Sequence, residues 1–150
     1  MPSAHSPPPG AKSIDQILEI ARSKLTRLTP DQLHAELESS TKPIHIIDIR
    51  PSAQRDLEAL FLVPPTCDSQ VHIIERNVLE WRLDPQCEAR LKDVVDAEGY
   101  RTRLVVVCSE GYTSSLAAVA LQELGLQNAT DLVGGQKAWE RFRASMGKSS

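Results

Sequence analysis

Short β-branched runs alternate with segments of helical periodicity along most of this chain. Ile44-His45-Ile46-Ile47-Asp48-Ile49, Val71 to Ile74, Leu104 to Val107 and Thr130 to Val133 read as strands, the first and third as buried ones. Ile14, Ile17, Leu18, Ala21 and Leu25 recur at helical spacing behind Ser13, which can cap the helix. Thr29-Pro30-Asp31-Gln32 supplies a cap, a proline at the first helical position and a glutamine that can close a capping box. The helix it starts faces Leu33 and Leu37 inward and stops before Lys42-Pro43. Ala53 to Leu60, Glu88 to Asp96, Ser114 to Leu124 and Gln136 to Arg143 also carry helical patterns, with Gly125 as a natural C-terminal stop, and Asn77 to Trp81 reads as a short helical turn. The stretch from Phe61 to Asp68, with Pro64-Pro65, is irregular. Strands alternating with helices predict an α/β fold: a small, mostly parallel central sheet flanked by helices.

Composition narrows the function more than the fold. The 150 residues suit one domain, with Met1 to Lys12 read as a disordered leader (four of the ten prolines lie there), residues 13–145 as the folded domain and residues 146–150 as a flexible tail. Seventeen Lys and Arg against 20 Asp and Glu give a net charge of −3, which argues against a nucleic-acid surface, as do only six aromatic residues. No apolar run approaches the roughly 20 residues of a transmembrane helix, and no secretory signal opens the chain. The expected setting is cytoplasmic and reducing, with Cys67, Cys87 and Cys108 as free thiols. Neither the cysteines nor the four histidines show metal-ligand spacing.

One cysteine stands apart. Leu104 to Val107 runs directly into Cys108-Ser109-Glu110-Gly111-Tyr112-Thr113-Ser114, and a helix follows. Ligands of parallel α/β sheets sit at the carboxyl ends of strands. A loop curling from strand into helix can aim successive N–H groups at one point, and the helix dipole adds to them. Such a cradle would stabilise a sulfur anion, and Gly111 would let the loop bend. The alternative is a small hydrophobe that merely ends a buried strand.

The segment from Cys108 to Trp139 resembles the C-terminal half of a rhodanese-like domain, whose pattern is roughly C-x-x-G-x-R-S, small helical residues, then G-G and W. Cys108, Gly111, Ser114, Ala117, Ala118, Gly134, Gly135 and Trp139 stand at matching spacing. Upstream, Asp48-Ile49-Arg50 resembles the family's D-x-R, and Arg76-Asn77-Val78-Leu79-Glu80-Trp81 resembles a segment after a central strand. The resemblance spans about Leu28 to Arg143. It implies sulfur transfer through a Cys108 persulfide, with the backbone from Ser109 to Ser114 as anion cradle. Ser109, Glu110, Gly111, Tyr112, Thr113, Ser114 and Arg76 are the substrate-binding candidates it suggests. The implied partners are a sulfur donor, as a small molecule or a protein persulfide, and a thiol or cyanide acceptor. No metal or organic cofactor is implied. A non-catalytic binding or redox-sensing module is the competing reading.

Thr113 stands where the family often has arginine, and Glu110 adds a negative charge, so thiosulfate is expected to be less welcome than a neutral or larger persulfide donor. A cysteine phosphatase would need arginine after five intervening residues, where this chain has Ser114. Arg50 and Arg76 are the cations that could serve the loop from outside; the competing role for both is a solvated surface arginine or an ion pair with Glu75, Glu80 or Asp48. Asp48 and Glu80 read as structural, Tyr112 as a rim residue, and Trp81 and Trp139 as core. Nothing in the sequence brings Cys67 or Cys87 within reach of Cys108.

Overall fold

The computed structural model describes residues 3–65, 67 and 69–147. Two capping boxes start the chain's first helices. Ser13 pairs with Gln16 at the head of α1 (Ile14–Ser23), and Thr29 pairs with Gln32 at the head of α2 (Pro30–Ser39). β1 (Ile44–Asp48) follows, then α3 (Ser52–Glu58), β2 (Gln70–Ile73), α4 (Leu79–Leu83) after a 3-10 turn at Arg76–Val78, and α5 (Lys92–Val95). β3 (Arg103–Val107), α6 (Thr113–Glu123), β4 (Ala129–Asp131) and α7 (Gly135–Gly147) complete the order. The sheet runs β2-β1-β3-β4 with every pairing parallel. That is the expected mixed α/β architecture.

Alternation along β1 and β3 divides the core. Ile47, Leu104, Val106 and Cys108 face a cluster with Leu79, Leu83, Ala117, Ala118 and Leu121. Ile44, Ile46, Val105 and Val107 face the other, with Leu33, Leu37, Leu132 and Trp139. Burial on both faces is why these strands are mostly apolar, with His45 and Asp48 the polar exceptions in β1 and Arg103 at the start of β3. The Trp139 indole stacks on Phe61 with centroids 4.9 Å apart and donates to the Leu62 carbonyl. Trp81 is 60% exposed, so it does not belong to the core expected of it.

Several element bounds differ from the sequence reading. α3 ends at Glu58 rather than Leu60, because Ala59 adopts φ +71° and breaks the helical path. Of the Glu88 to Asp96 pattern only Lys92–Val95 is helical; Leu91, extended, stands at its N-cap position with no side-chain capping bond. α7 runs to Gly147, past Arg143 and into the expected tail; residues 148–150 lie outside the described residues. No helix among the described residues is long and apolar enough to cross a membrane.

Neighbouring strands also pair two histidines: His45 Nδ1 and His72 Nε2 lie 2.9 Å apart. Burial lowers both imidazoles from their ordinary value of 6.5; His72 lowers His45 further, and Asp93 opposes the shift in both. The unfolded chain therefore takes up protons first, so stability is fully present above about pH 6.5 and falls as pH drops through it. The denaturant midpoint should be lower at about pH 5.5 than at about pH 7.5, and His72→Gln should shrink that difference. An equal difference in the variant would remove the pair as its cause.

Candidate functional site

The strand order reverses direction between β1 and β3, and the carboxyl ends of those two strands enclose the crevice where α/β sheets hold ligands. β1 delivers Ile49, Arg50 and Pro51 to it, and β3 delivers Cys108. Gly111 at φ +85° turns the loop back so that its N–H donates to Cys108 Sγ at 3.2 Å. A Cβ at Gly111 would stand 2.6 Å from the Gly134 nitrogen, so both the bend and the close approach require glycine. The Gly134-Gly135 turn packs against the other side of the loop. Gln136 N–H donates to the Cys108 carbonyl at 2.9 Å, and Lys137 N–H to the Ser109 carbonyl at 3.1 Å.

A hollow of about 400 Å³ opens over the thiol. Its walls include Ile49, Pro51, Gln54 and Tyr112, the last 57% exposed at the rim. Its cations come from outside the loop, and each is engaged. Lys137 Nζ lies 2.7 Å from Glu110 Oε1, and this pairing raises the ammonium's affinity for its proton. Arg50, only 1% exposed, is held by both Asp48 oxygens at 3.0 and 2.7 Å and by Glu58 at 3.3 Å. Burial alone would lower Arg50 and raise Glu58. Hydrogen bonds and opposite charge reverse both: Asp48 and Glu58 hold Arg50 up, while Ser109, Gln54 and Arg50 hold Glu58 below the usual carboxylate range. Three carboxylates thus face two cations around the hollow.

Most of the expected residues converge. Cys108, Ser109, Glu110, Tyr112 and Thr113 line the hollow, and Gly111 donates to the sulfur. Ser114 is fully buried and turns its hydroxyl away, onto Asp131 at 2.8 Å. Arg76 lies elsewhere: it lines an adjacent hollow with Ser52, Ala53 and Asn77, and Glu80 takes its guanidinium at 2.7 Å. Asp48 is structural as expected, accepting from the Arg50 backbone and side chain. Cys67 packs against the α2 and α7 core, and Cys87 lines a separate hollow with Trp81, so neither joins Cys108. Among the described residues no cluster of three or more His, Cys, Asp or Glu could hold a metal ion.

Sequence reasoning missed four side chains behind and beside the loop. Asp131, at the end of β4, is fully buried and accepts from Ser114, Ser115 and Arg27. Arg27 and Arg22, from the α1 end of the chain, both donate to the Gly111 carbonyl. Lys137 reaches the rim from α7. A buried aspartate on a short strand was the one available signal, since such a group needs a partner.

Comparison with known proteins gives the family and the fold. The Rhodanese-like domain pattern matches residues 29–142. Two maize proteins, Adenylyltransferase and sulfurtransferase MOCS3-2 and MOCS3-1, are each 32% identical, over 106 and 108 residues. The matches cover 71% and 72% of this chain but 19% and 20% of those proteins, so the chain spans about a fifth of their length. A Rhodopseudomonas palustris protein of unknown function, described as a possible tyrosine phosphatase, is 26% identical with a TM-score of 0.70, covering 92% of this chain and 96% of that one. The single-domain sulfurtransferase RDL2 of Saccharomyces cerevisiae shares the fold at 16% identity and a TM-score of 0.55, over 81% of this chain and 93% of its own. Motif order, sheet topology and these matches agree, and the chain belongs to the rhodanese-like domain family.

Proposed function

We propose that this chain is a sulfurtransferase that carries a sulfane sulfur on Cys108. The observation that carries the reading is the Gly111 N–H donating to Cys108 Sγ at the carboxyl end of β3. A backbone donor fixed on the sulfur favours its anionic form and the anionic persulfide that extends from it. The thiolate attacks the outer sulfur of a persulfide donor, the donor's S–S bond breaks, and the donor leaves as a thiolate. An acceptor thiolate or cyanide then attacks the outer sulfur on Cys108. The product leaves as a new persulfide or as thiocyanate, and the Cys108 thiolate returns.

Charge around the hollow favours donors other than small dianions. Lys137 is spoken for by Glu110 and Arg50 by Asp48 and Glu58, while Ile49, Pro51 and Tyr112 offer apolar wall. A neutral or larger persulfide fits these walls better than thiosulfate.

The test is intact mass after exposure to a persulfide donor and, separately, to thiosulfate. The expected result is one added sulfur in wild type and in the Cys67→Ala/Cys87→Ala variant, discharged by cyanide or thiol, and none in Cys108→Ala. Glu110→Gln releases Lys137 and should speed thiosulfate loading by up to about fivefold at low salt, the range of an exposed ion pair. An unchanged thiosulfate rate would remove Glu110 as the discriminator. No adduct on folded wild type with either donor would overturn the reading and leave a non-catalytic binding or redox-sensing module.

A further inference from the structure

Two guanidinium groups converge on one backbone oxygen of the cysteine loop. Arg22 Nη2 donates to the Gly111 carbonyl at 2.8 Å, and Arg27 Nη2 donates to the same oxygen at 2.9 Å. Neither is a loose surface side chain. Arg27 is bidentate on Asp131, at 2.8 and 3.1 Å, with its side chain 16% exposed. Its backbone lies beside β4, where Leu28 and Leu132 form a bridge. Arg22 donates through Nε to Ser115 Oγ at 3.2 Å, and its guanidinium lies 5.7 Å from the Tyr112 ring centroid. The Arg27 charge is matched by Asp131, whereas the partners of Arg22 are neutral: a hydroxyl, a carbonyl and an aromatic face.

We propose that Arg22, backed by Arg27, is a positioning residue that makes the Cys108 sulfur anion-ready by acting through the Gly111–Tyr112 peptide. A trans peptide points its N–H opposite to its C=O. Turning the Gly111 carbonyl onto the arginines therefore aims the Tyr112 N–H away from them, and in the proposal it serves the side of the loop that holds Cys108, where the Gly111 N–H already donates. Two cationic donors on the carbonyl also withdraw electron density from that amide, which strengthens its N–H as a donor. The loop carries no cation of its own, so the charge that favours a sulfur anion is supplied from behind, through the backbone, and leaves the hollow free for the donor. This deepens the sulfurtransferase reading and rests on it for the chemistry, but it is testable on the thiol alone.

The experiment is the pH dependence of Cys108 alkylation by iodoacetamide in the full chain, read on the Cys108 peptide by mass, for wild type, Arg22→Met and Arg22→Lys. Thermal unfolding is followed in parallel. Arg22→Met is expected to alkylate roughly threefold to tenfold more slowly at pH 7, with its profile displaced to higher pH. Arg22→Lys, which keeps the charge but loses the fork, should fall between the two at an unchanged unfolding temperature. In wild type, the Tyr112 amide resonance should shift as Cys108 ionises. An Arg22→Met profile that overlays wild type overturns the proposal, and so does a Tyr112 amide indifferent to that ionisation. The amide decides alone if Arg22→Met does not fold. A wild-type thiol that alkylates like a free cysteine would sink the sulfur-transfer reading and the proposal together, whereas a reactive thiol indifferent to Arg22 would sink the proposal alone.

Discussion

Asp131→Ala is expected to lower the folding free energy by about 3 to 5 kcal/mol, the range for breaking one side of a buried charge pair. The carboxylate is fully buried at the end of β4 and accepts four hydrogen bonds: two from Arg27 and one each from the Ser114 and Ser115 hydroxyls, both at 2.8 Å. Deleting it leaves Arg27 without its anion and two fully buried hydroxyls without that acceptor. Arg27 is partly solvated, at 16% side-chain exposure, which places the expected cost toward the lower end of the range. For a chain of this size a loss of about 3 kcal/mol corresponds to a fall of roughly 10 °C in Tm. Asp131→Asn keeps one acceptor and the volume and should lose clearly less. Chemical denaturation of the two variants checks the ordering. A loss below about 1 kcal/mol for Asp131→Ala would mean that water replaces the carboxylate at little cost, and the network would then not be what braces the loop.

The difference between what the sequence made legible and what it hid follows the range of the interactions. Strands β1 and β3 were readable because burial on both faces favours runs rich in isoleucine and valine, and the start of α2 was readable because Thr29, Pro30 and Gln32 cap it within four residues. Cys108 stood out because the strand ending at Val107 leads into a loop with glycine at the bend. The close of α3 was hidden, since Ala59 adopts a positive φ that its residue type does not announce. So was the failure of the Glu88 to Asp96 pattern: periodic apolar residues also suit a turn in which Arg90 ties to Cys87 and Asp96. The charges of the site were least legible. Lys137, Arg22 and Arg27 reach the loop across 27, 89 and 84 positions of sequence, and no local pattern records a contact at that range. Arg50 was visible as a candidate, yet the two carboxylates that occupy it, Asp48 and Glu58, decide what it can do.

Gly135→Ala should damage stability and sulfur loading together, because this glycine is where the last helix meets the cysteine loop. Its φ is +58°, and an added Cβ would stand 2.3 Å from the Cys108 carbonyl oxygen, 2.7 Å from the Ser109 carbonyl carbon and 2.8 Å from the Ser109 oxygen. All three are backbone atoms, so no flexible side chain can yield. Relief to van der Waals distance would require the loop to move by roughly 1 Å. Left-handed strain and overpacking together should cost about 2 to 4 kcal/mol. A displacement of that size at the reacting atom should slow sulfur loading onto Cys108 by about a hundredfold. Gly99→Ala separates the two causes. Gly99 has the same φ of +58° with nothing within 4 Å of its Cβ position, and it lies in a turn before β3, away from the hollow. It carries the backbone strain without the collision, so it should lose about 1 kcal/mol and load sulfur at the wild-type rate. Equal loading rates in the two variants would show that the loop tolerates a shifted Gly134-Gly135 turn. The donor geometry at Cys108 would then have to be set by Gly111 and the arginines behind it.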